Sequence, residues 1–319
     1  MREHDMSETA ISQFHRLYDV WKADEGSTWI RESDVEPLTD VPSFHDVYET
    51  IDHDEAVNAF AKTAFLKLNG GLGTSMGLDC AKSLLPVRRH KARQMRFIDI
   101  ILGQVITTRQ RLGVELPMTL MNSFRTSEDT MKVIHANRKF HQTGIPTEII
   151  QHVEPKIDLA TGAPVSFPSN PDLEWCPPGH GDLFSTIWES GLLDTLQEHG
   201  FKYLFISNSD NLGARPSRTL AQHFENTGAP FMVEVATRTY ADRKGGHIVR
   251  DLSLIQISEP TRLRRRSYAV FCLKKKNIRV RRLQDFCIPT LLPSIPEQMA
   301  PSVVTDPAVS INVHISTAV

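Results

Sequence analysis

Ala64-Phe65-Leu66-Lys67-Leu68-Asn69-Gly70-Gly71-Leu72-Gly73-Thr74-Ser75-Met76-Gly77 passes from a short apolar run into four glycines, and Ala81-Lys82-Ser83-Leu84-Leu85-Pro86-Val87 follows. The apolar run has the length of a buried strand, and the glycines break it into a loop, so the stretch reads as strand, loop, then helix start. Glycines in such a loop let backbone N–H groups approach a phosphate or a base that a Cβ would keep away. The stretch therefore predicts an anion site. A dinucleotide fingerprint requires G-x-G-x-x-G, and Gly71 to Gly77 carries one residue too many. A P-loop requires glycine directly before Lys-Ser, and Ala81 stands there. What remains is a glycine-rich loop with Lys82 five residues after its last glycine.

On the amino-terminal side, Ile11, Phe14, Leu17, Tyr18 and Trp21 recur at helical spacing behind Ser7, a candidate N-cap. Residues 24–42 read as a loop, and a second helix is expected over Phe44–Ala61. On the carboxyl side, Phe97, Ile98, Ile101, Leu102, Val105 and Ile106 mark a helix over Met95–Leu112 that ends at Gly113. Strands are expected at Pro117–Asn122, Glu148–Val153, Tyr203–Asn208 and Pro230–Ala236. Helices are expected after Thr126 or Ser127, over Asp182–His199 and over Ser217–Phe224. This alternation predicts an α/β layered domain with a mainly parallel sheet. Ligands gather at the carboxyl ends of such strands, where the glycine loop after Leu68 and the polar cluster after Ile206 both fall.

A 319-residue chain with 40% hydrophobic content can build a large core. Its net charge of −2 gives no sign of a nucleic-acid partner. The charge is uneven: residues 252–319 carry ten Lys/Arg and four Asp/Glu, a net of +6, which leaves −8 for residues 1–251. The basic cluster of Arg262 to Arg282 has the composition of a nucleic-acid arm, but the loss of periodicity there favours an unstructured or artefactual tail. Cys80, Cys176, Cys272 and Cys287 form no C-x-x-C pair and no zinc spacing, so they read as free thiols. No signal peptide and no run of about eighteen apolar residues occurs, which predicts a cytoplasmic protein without a membrane partner.

Leu68-Asn69-Gly70-Gly71-Leu72-Gly73-Thr74-Ser75-Met76-Gly77 with Ala81-Lys82-Ser83 and Val87-Arg88 resembles the UTP–glucose-1-phosphate uridylyltransferase (UDP-glucose pyrophosphorylase) family, of the eukaryote-like type. Gln151, Pro177-Pro178-Gly179-His180-Gly181-Asp182, Ser207-Asn208-Ser209-Asp210-Asn211-Leu212-Gly213-Ala214 and Met232-Val233-Glu234-Val235 follow in the family's order, as does Ala241-Asp242-Arg243-Lys244-Gly245-Gly246-His247. The resemblance covers roughly residues 1–251 and then stops. It implies an N-terminal helical extension (1–62), a Rossmann-like nucleotidyltransferase core (63–251) with helices on both faces of the sheet, and a non-family tail (252–319). The family also uses a lysine far downstream and a terminal domain, so the core is expected to be incomplete.

By this resemblance Leu68, Asn69, Gly70, Gly71, Gln151 and Gly179 bind the nucleotide, and Lys82 meets its phosphates. His180, Asn208, Ser209 and Asp210 serve the sugar phosphate, and Asp210 with Asn208 ligates Mg²⁺. Glu234, Asp242, Lys244 and His247 belong to a sugar-binding region. A compact ammonium suits triphosphate oxygens, an amide suits the uracil edge, and a carboxylate at a strand end suits Mg²⁺. Lys82 and Asp210 are the expected catalytic pair, with UTP and glucose 1-phosphate as substrates. The alternatives are a UTP-binding fragment without turnover and an enzyme for an N-acetylhexosamine 1-phosphate. The Asn-Gly-Gly-Leu-Gly wording favours glucose.

Overall fold

A computed structural model describes residues 1–23, 35–37, 41–73, 80–90, 93–237, 249–251 and 309–318. In chain order these form α1 (Glu8–Ala23), β1 (Val35–Pro37), α2 (Phe44–Glu49), α3 (His53–Ala61), β2 (Thr63–Asn69), β3 (Pro86–His90), β4 (Arg93–Arg96) and α4 (Phe97–Leu112). Then come β5 (Met118–Asn122), α5 (Ser127–Ala136), β6 (Glu148–Ile150), β7 (Glu154–Pro155), β8 (Trp175–Cys176), α6 (Leu183–Glu189), α7 (Leu192–Glu198), β9 (Tyr203–Asn208), α8 (Arg218–Thr227), β10 (Phe231–Thr237), β11 (Val249–Asp251) and β12 (Val309–Ala318). The chain divides into two units. The first takes the described residues within Met1–Glu25, Ala64–Phe201 and Ser207–Arg215, and the second those within Gly26–Thr63, Lys202–Ile206 and Pro216–Val319.

The first unit is built on β2, β5 and β6. β2 pairs with β5 in parallel, with Phe65 opposite Met118 and Asn69 opposite Asn122, and β5 pairs in parallel with β6. Every residue of β2 and of β5 is buried. Successive side chains on a strand point to opposite faces, so both faces of these strands are covered, as a parallel sheet requires. α4 adds Ile98, Ile101, Leu102 and Val105 to the buried set and ends at Gly113, whose φ of 65° is the left-handed cap that glycine adopts without strain. α1 is capped as expected, with the Ser7 hydroxyl accepting from the Ala10 N–H at 3.0 Å. The second unit pairs its strands antiparallel, β1 with β11, and β12 with both β9 and β10.

Three expectations are corrected. Phe44–Ala61 is two helices, because the Asp52 carboxylate accepts from the Asp54 and Glu55 N–H groups and starts a new helix. Asp182–His199 is also two, broken at Gly191, whose φ is 69°. As expected, α5 opens at Ser127 with Thr126 at its N-cap position, where the Thr126 hydroxyl accepts from the Ser123 N–H at 2.9 Å. The glycine loop leads to a 3-10 turn over Lys82–Leu84 and the β3–β4 hairpin, not to a helix. Of the tail, residues 252–308 and 319 lie outside the described residues, while 309–318 run as β12.

Leu120 sits in the middle of β5 with no exposed surface. Leu120→Ala is expected to lower unfolding stability by about 2–5 kcal/mol through lost burial and the cavity left behind, measured as a shift of the urea midpoint at unchanged slope.

Candidate active site

All the candidate residues that the first unit contains converge on the carboxyl ends of β2, β6 and β9. Leaving β2, the chain turns back on itself. The Lys82 N–H donates to the Gly71 carbonyl at 3.1 Å, the Gly73 N–H to the Cys80 carbonyl at 2.9 Å, and Leu72 and Ala81 form an antiparallel bridge. This pairing sets Lys82 beside Gly71 although ten residues lie between them. Thr74 to Asp79, with Gly77, lie outside the described residues. At the end of β9, Asp210 is exposed, and its Oδ2 stands 3.6 Å from the Lys82 Nζ. Both side chains are partly solvated, so this is a loose ion pair that leaves donors and acceptors for a ligand.

Behind this pair lies a buried polar network. The Asn69 Nδ2 donates to the Asn122 Oδ1 at 2.6 Å and to the Thr130 Oγ1 at 3.0 Å, while its Oδ1 accepts from the Ser209 hydroxyl at 2.8 Å. Asn122 in turn donates to Glu148. The Ser209 N–H bonds the Leu68 carbonyl at 2.9 Å, and the Ser123 hydroxyl bonds the Gly70 carbonyl at 3.0 Å. The side chains of Asn69 and Ser209 are thus spent on each other and on their neighbours. They fix the loop ends, which leaves the backbone there to meet a ligand.

Gln151 lies one residue beyond β6 and is buried, not outward-facing. Its N–H donates to the Asn122 carbonyl and its Nε2 to the Gly179 carbonyl at 2.9 Å. A Cβ on Gly70 would stand 2.0 Å from the Gln151 Oε1. Gly70 is required by this close approach. Gly179 is required by its φ of 92°. His180 follows it and feels the charges of both Asp210 and Lys82. Desolvation lowers its pKa, Asp210 opposes that shift and Lys82 adds to it.

Two groups that the sequence reading passed over belong to the same frame. Lys67 is completely buried on β2, and its Nζ donates to the carbonyls of Asn208, Asn211 and Ala214 at 3.0, 3.1 and 3.2 Å. Burial pulls its pKa down to about 7, with Asp210 pulling the other way. Three carbonyl acceptors offer nothing to the lone pair of a neutral amine, so the cage itself selects the ammonium. His152 is the second. Its Nδ1 pairs with Asp182 at 2.6 Å and its Nε2 with Glu189 at 3.1 Å. Burial lowers its pKa, but the two carboxylates outweigh that and raise it to about 9. Nearby, Glu154 is raised to about 7, first by burial and then by Asp182. The only signal for either residue was a charged or titratable side chain inside an apolar strand pattern.

Among the described residues, no group of three or more His, Cys, Asp or Glu side chains gathers to hold a metal ion. One accessible carboxylate, Asp210, with Asn208 at the strand end, fits the chemistry of Mg²⁺, which takes one or two carboxylates and fills its shell with water and phosphate oxygens. It is not that of a zinc cage. Asp242, Lys244 and His247 lie outside the described residues. Glu234 lies on β10, in the second unit.

The sequence model of UTP–glucose-1-phosphate uridylyltransferase matches residues 11–278. The chain belongs to this family. The enzyme of that name from Encephalitozoon cuniculi is 34% identical over 251 residues, which are 79% of this chain and 48% of that protein. The Saccharomyces cerevisiae enzyme is 39% identical over 210 residues, 63% of this chain and 40% of that protein. Among solved structures, Trypanosoma brucei UDP-glucose phosphorylase superposes with a TM-score of 0.71 at 33% identity, covering 79% of this chain and 52% of that one. A variant of Leishmania major UDP-glucose pyrophosphorylase in complex with UDP-glucose gives 0.73 at 30% identity, covering 100% and 61%. The chain spans about half, or less, of the length of the curated relatives it matches. Among the described residues no helix is long and apolar enough to cross a membrane.

Two outcomes follow from this geometry. Gly70→Ala is expected to push the Gln151 amide off the Gly179 carbonyl and lower stability by roughly 1–3 kcal/mol, the cost of a buried amide left unpaired; in a Gln151→Ala background thermal melts should show most of that loss gone. His152 binds its proton more tightly folded than unfolded, so its contribution is complete below pH 6.5 and is lost as the pH rises through about 9. Glu154, held neutral, loses stability over the lower window from 4.5 to about 7. Denaturation midpoints of the protein should therefore fall from pH 6.5 to 9, and His152→Gln should flatten that upper part while leaving the lower window in place.

Proposed function

We propose that this chain binds UTP and transfers its uridylyl group to glucose 1-phosphate, giving UDP-glucose and pyrophosphate. The observation that carries the reading is the joining of the Gly70–Gly71 loop, Gln151, Gly179 and the Lys82–Asp210 pair at one end of the first unit's strands. Family membership, and relatives whose names state this reaction, support the choice of substrates. The reaction also fits a cytoplasmic enzyme.

The base is read by Gln151. Its Nε2 has two hydrogens, of which Gly179 takes one, so the amide is held in a fixed orientation with a donor and an acceptor for the uracil edge. The backbone of Leu68, Asn69, Gly70 and Gly71 approaches the nucleoside where no side chain intervenes. The Lys82 ammonium neutralises the triphosphate and the charge that grows on the leaving pyrophosphate. His180 and the Asn208–Asp210 loop face the sugar phosphate. An oxygen of the sugar phosphate forms the new bond to the α-phosphorus as the bond from the α-phosphorus to the bridging oxygen of pyrophosphate breaks. The nucleophile is already anionic near neutral pH, so the protein supplies position and charge and no general base is needed. Mg²⁺, held by Asp210 and Asn208, would neutralise the phosphate oxygens.

The experiment is pyrophosphate release by the purified chain with UTP, Mg²⁺ and glucose 1-phosphate, run beside a thermal melt with and without UTP. Release that depends on the sugar phosphate and stops with EDTA is the expected result. A UTP-dependent rise in melting temperature without release would reduce the reading to nucleotide binding, and neither signal would refute it. Lys82→Ala should lower release at least about a hundredfold, the scale of losing one transition-state charge contact, with the melting temperature little changed.

A further inference from the structure

We propose that Lys67 is a positioning residue for the uridylyl-transfer site: its buried ammonium, bonded to the Asn208, Asn211 and Ala214 carbonyls, presets the loop that carries Asp210 before any nucleotide arrives. The inference rests on the uridylyl-transfer reading only for its consequence, since the cage itself is a matter of geometry.

Lys67 lies between Leu66 and Leu68 on a strand whose every residue is buried. A leucine or methionine would fill such a place with no ammonium to desolvate, so a charge there needs compensation. Lys67 has it in full. An ammonium has three hydrogens and no acceptor, and each of three carbonyls lies within hydrogen-bond distance. The three span the end of β9 and the loop that follows it, and two of them flank Asp210. The Phe65 ring lies 4.9 Å from the Nζ, which adds a cation–π contact beneath the cage.

The loop has other supports, but none of them anchors both sides of Asp210 to the sheet. The Asn211 Oδ1 accepts from the Gly213 and Ala214 N–H groups, which shapes the turn without anchoring it. The Gln104 Nε2 holds the Leu212 carbonyl at 3.2 Å, beyond Asp210. The Ser209 hydroxyl and N–H tie the near side to Asn69 and Leu68. The Asn211 N–H closes a turn onto the Asn208 carbonyl at 3.2 Å across Asp210, and among the described residues Lys67 is the side chain that ties the Asn208 and Asn211 carbonyls to the sheet. A long, flexible loop end would have to be ordered each time substrate bound; a loop ordered in advance keeps Asp210 beside Lys82 at no further cost. Asp210 would then meet the nucleotide's metal already in place.

The test uses the full 319-residue chain, with Mn²⁺ replacing Mg²⁺ as a spectroscopic probe. Lys67→Met keeps the shape of the stem and removes the three donors. Hydrogen exchange is followed in peptides covering residues 203–215 and, as a control, β5, without nucleotide; UTP-dependent Mn²⁺ binding is then measured for the wild type, Lys67→Met, Asp210→Asn and the double variant. The expected result is at least tenfold faster exchange around Asp210 with β5 unchanged, at least tenfold weaker Mn²⁺ binding with UTP, and no further loss when Lys67→Met is added to Asp210→Asn. Equal exchange around Asp210, or equal Mn²⁺ binding in a folded Lys67→Met chain, would overturn the proposal. If the wild type binds no UTP, the uridylyl-transfer reading fails, and the exchange comparison alone still decides whether Lys67 sets the loop. If Lys67→Met does not melt cooperatively, the wild-type exchange decides: protection of residues 208–214 without nucleotide supports the proposal, and protection that appears only with UTP refutes it.

Discussion

A polar side chain taken out of water must find its partners inside the protein, and Asn69 finds three. Its amide joins Asn122 on β5, Thr130 on α5 and Ser209 after β9. Parallel strands are tied to one another along their length by backbone hydrogen bonds, but those bonds do not fix the loops that leave the strand ends. The Asn69 network does. Each member is satisfied by another, so moving one loop would orphan several buried groups at once, and that cost makes the end of the sheet a rigid frame.

The chemistry is arranged around that frame in layers of increasing exposure. Deepest is Lys67, an ammonium with all three hydrogens on carbonyls. Above it are Asn69 and Ser209, locked by each other. Nearest the solvent are Lys82 and Asp210, charged and loosely paired at 3.6 Å. The order is physically sensible. Buried charges with full partners hold geometry, while half-solvated charges without full partners remain able to exchange one another for phosphate. The His152–Asp182–Glu189 set braces the segment that follows Gln151, where Asp182 also accepts from the His152 N–H and from the Thr186 hydroxyl of α6.

Much of this was legible in the sequence, though unevenly. Tyr203–Asn208 was marked as a strand by its own composition, and Gly113 as a helix end. Helix breaks were not legible: Phe44–Ala61 and Asp182–His199 keep a helical pattern through their interruptions, because one Asx cap or one left-handed glycine stops a helix without disturbing the apolar spacing. The site was legible by motif, but its roles were only partly so. Asn69 and Ser209 were legible as members of the site, and the hydrogen bond between their side chains was not. Lys67 looked like one polar residue in an apolar run, since nothing local says what packs against it from 141 to 147 residues further along the chain.

By itself the sequence determined the kinds of chemistry available: a glycine loop without a dinucleotide or P-loop spacing, a lysine and a carboxylate fit for phosphate and Mg²⁺, and an alternation of strands and helices that places ligands at strand ends. Those follow from side-chain chemistry and short-range periodicity, which are written locally. Only the tertiary structure decided which glycine is required by what. Gly70 answers to Gln151, eighty-one residues on, and Gly179 to its own φ. It also decided that Lys67 is a buried cation in a carbonyl cage, because the cost of burying a charge and the partners that offset it exist only once distant segments are packed together.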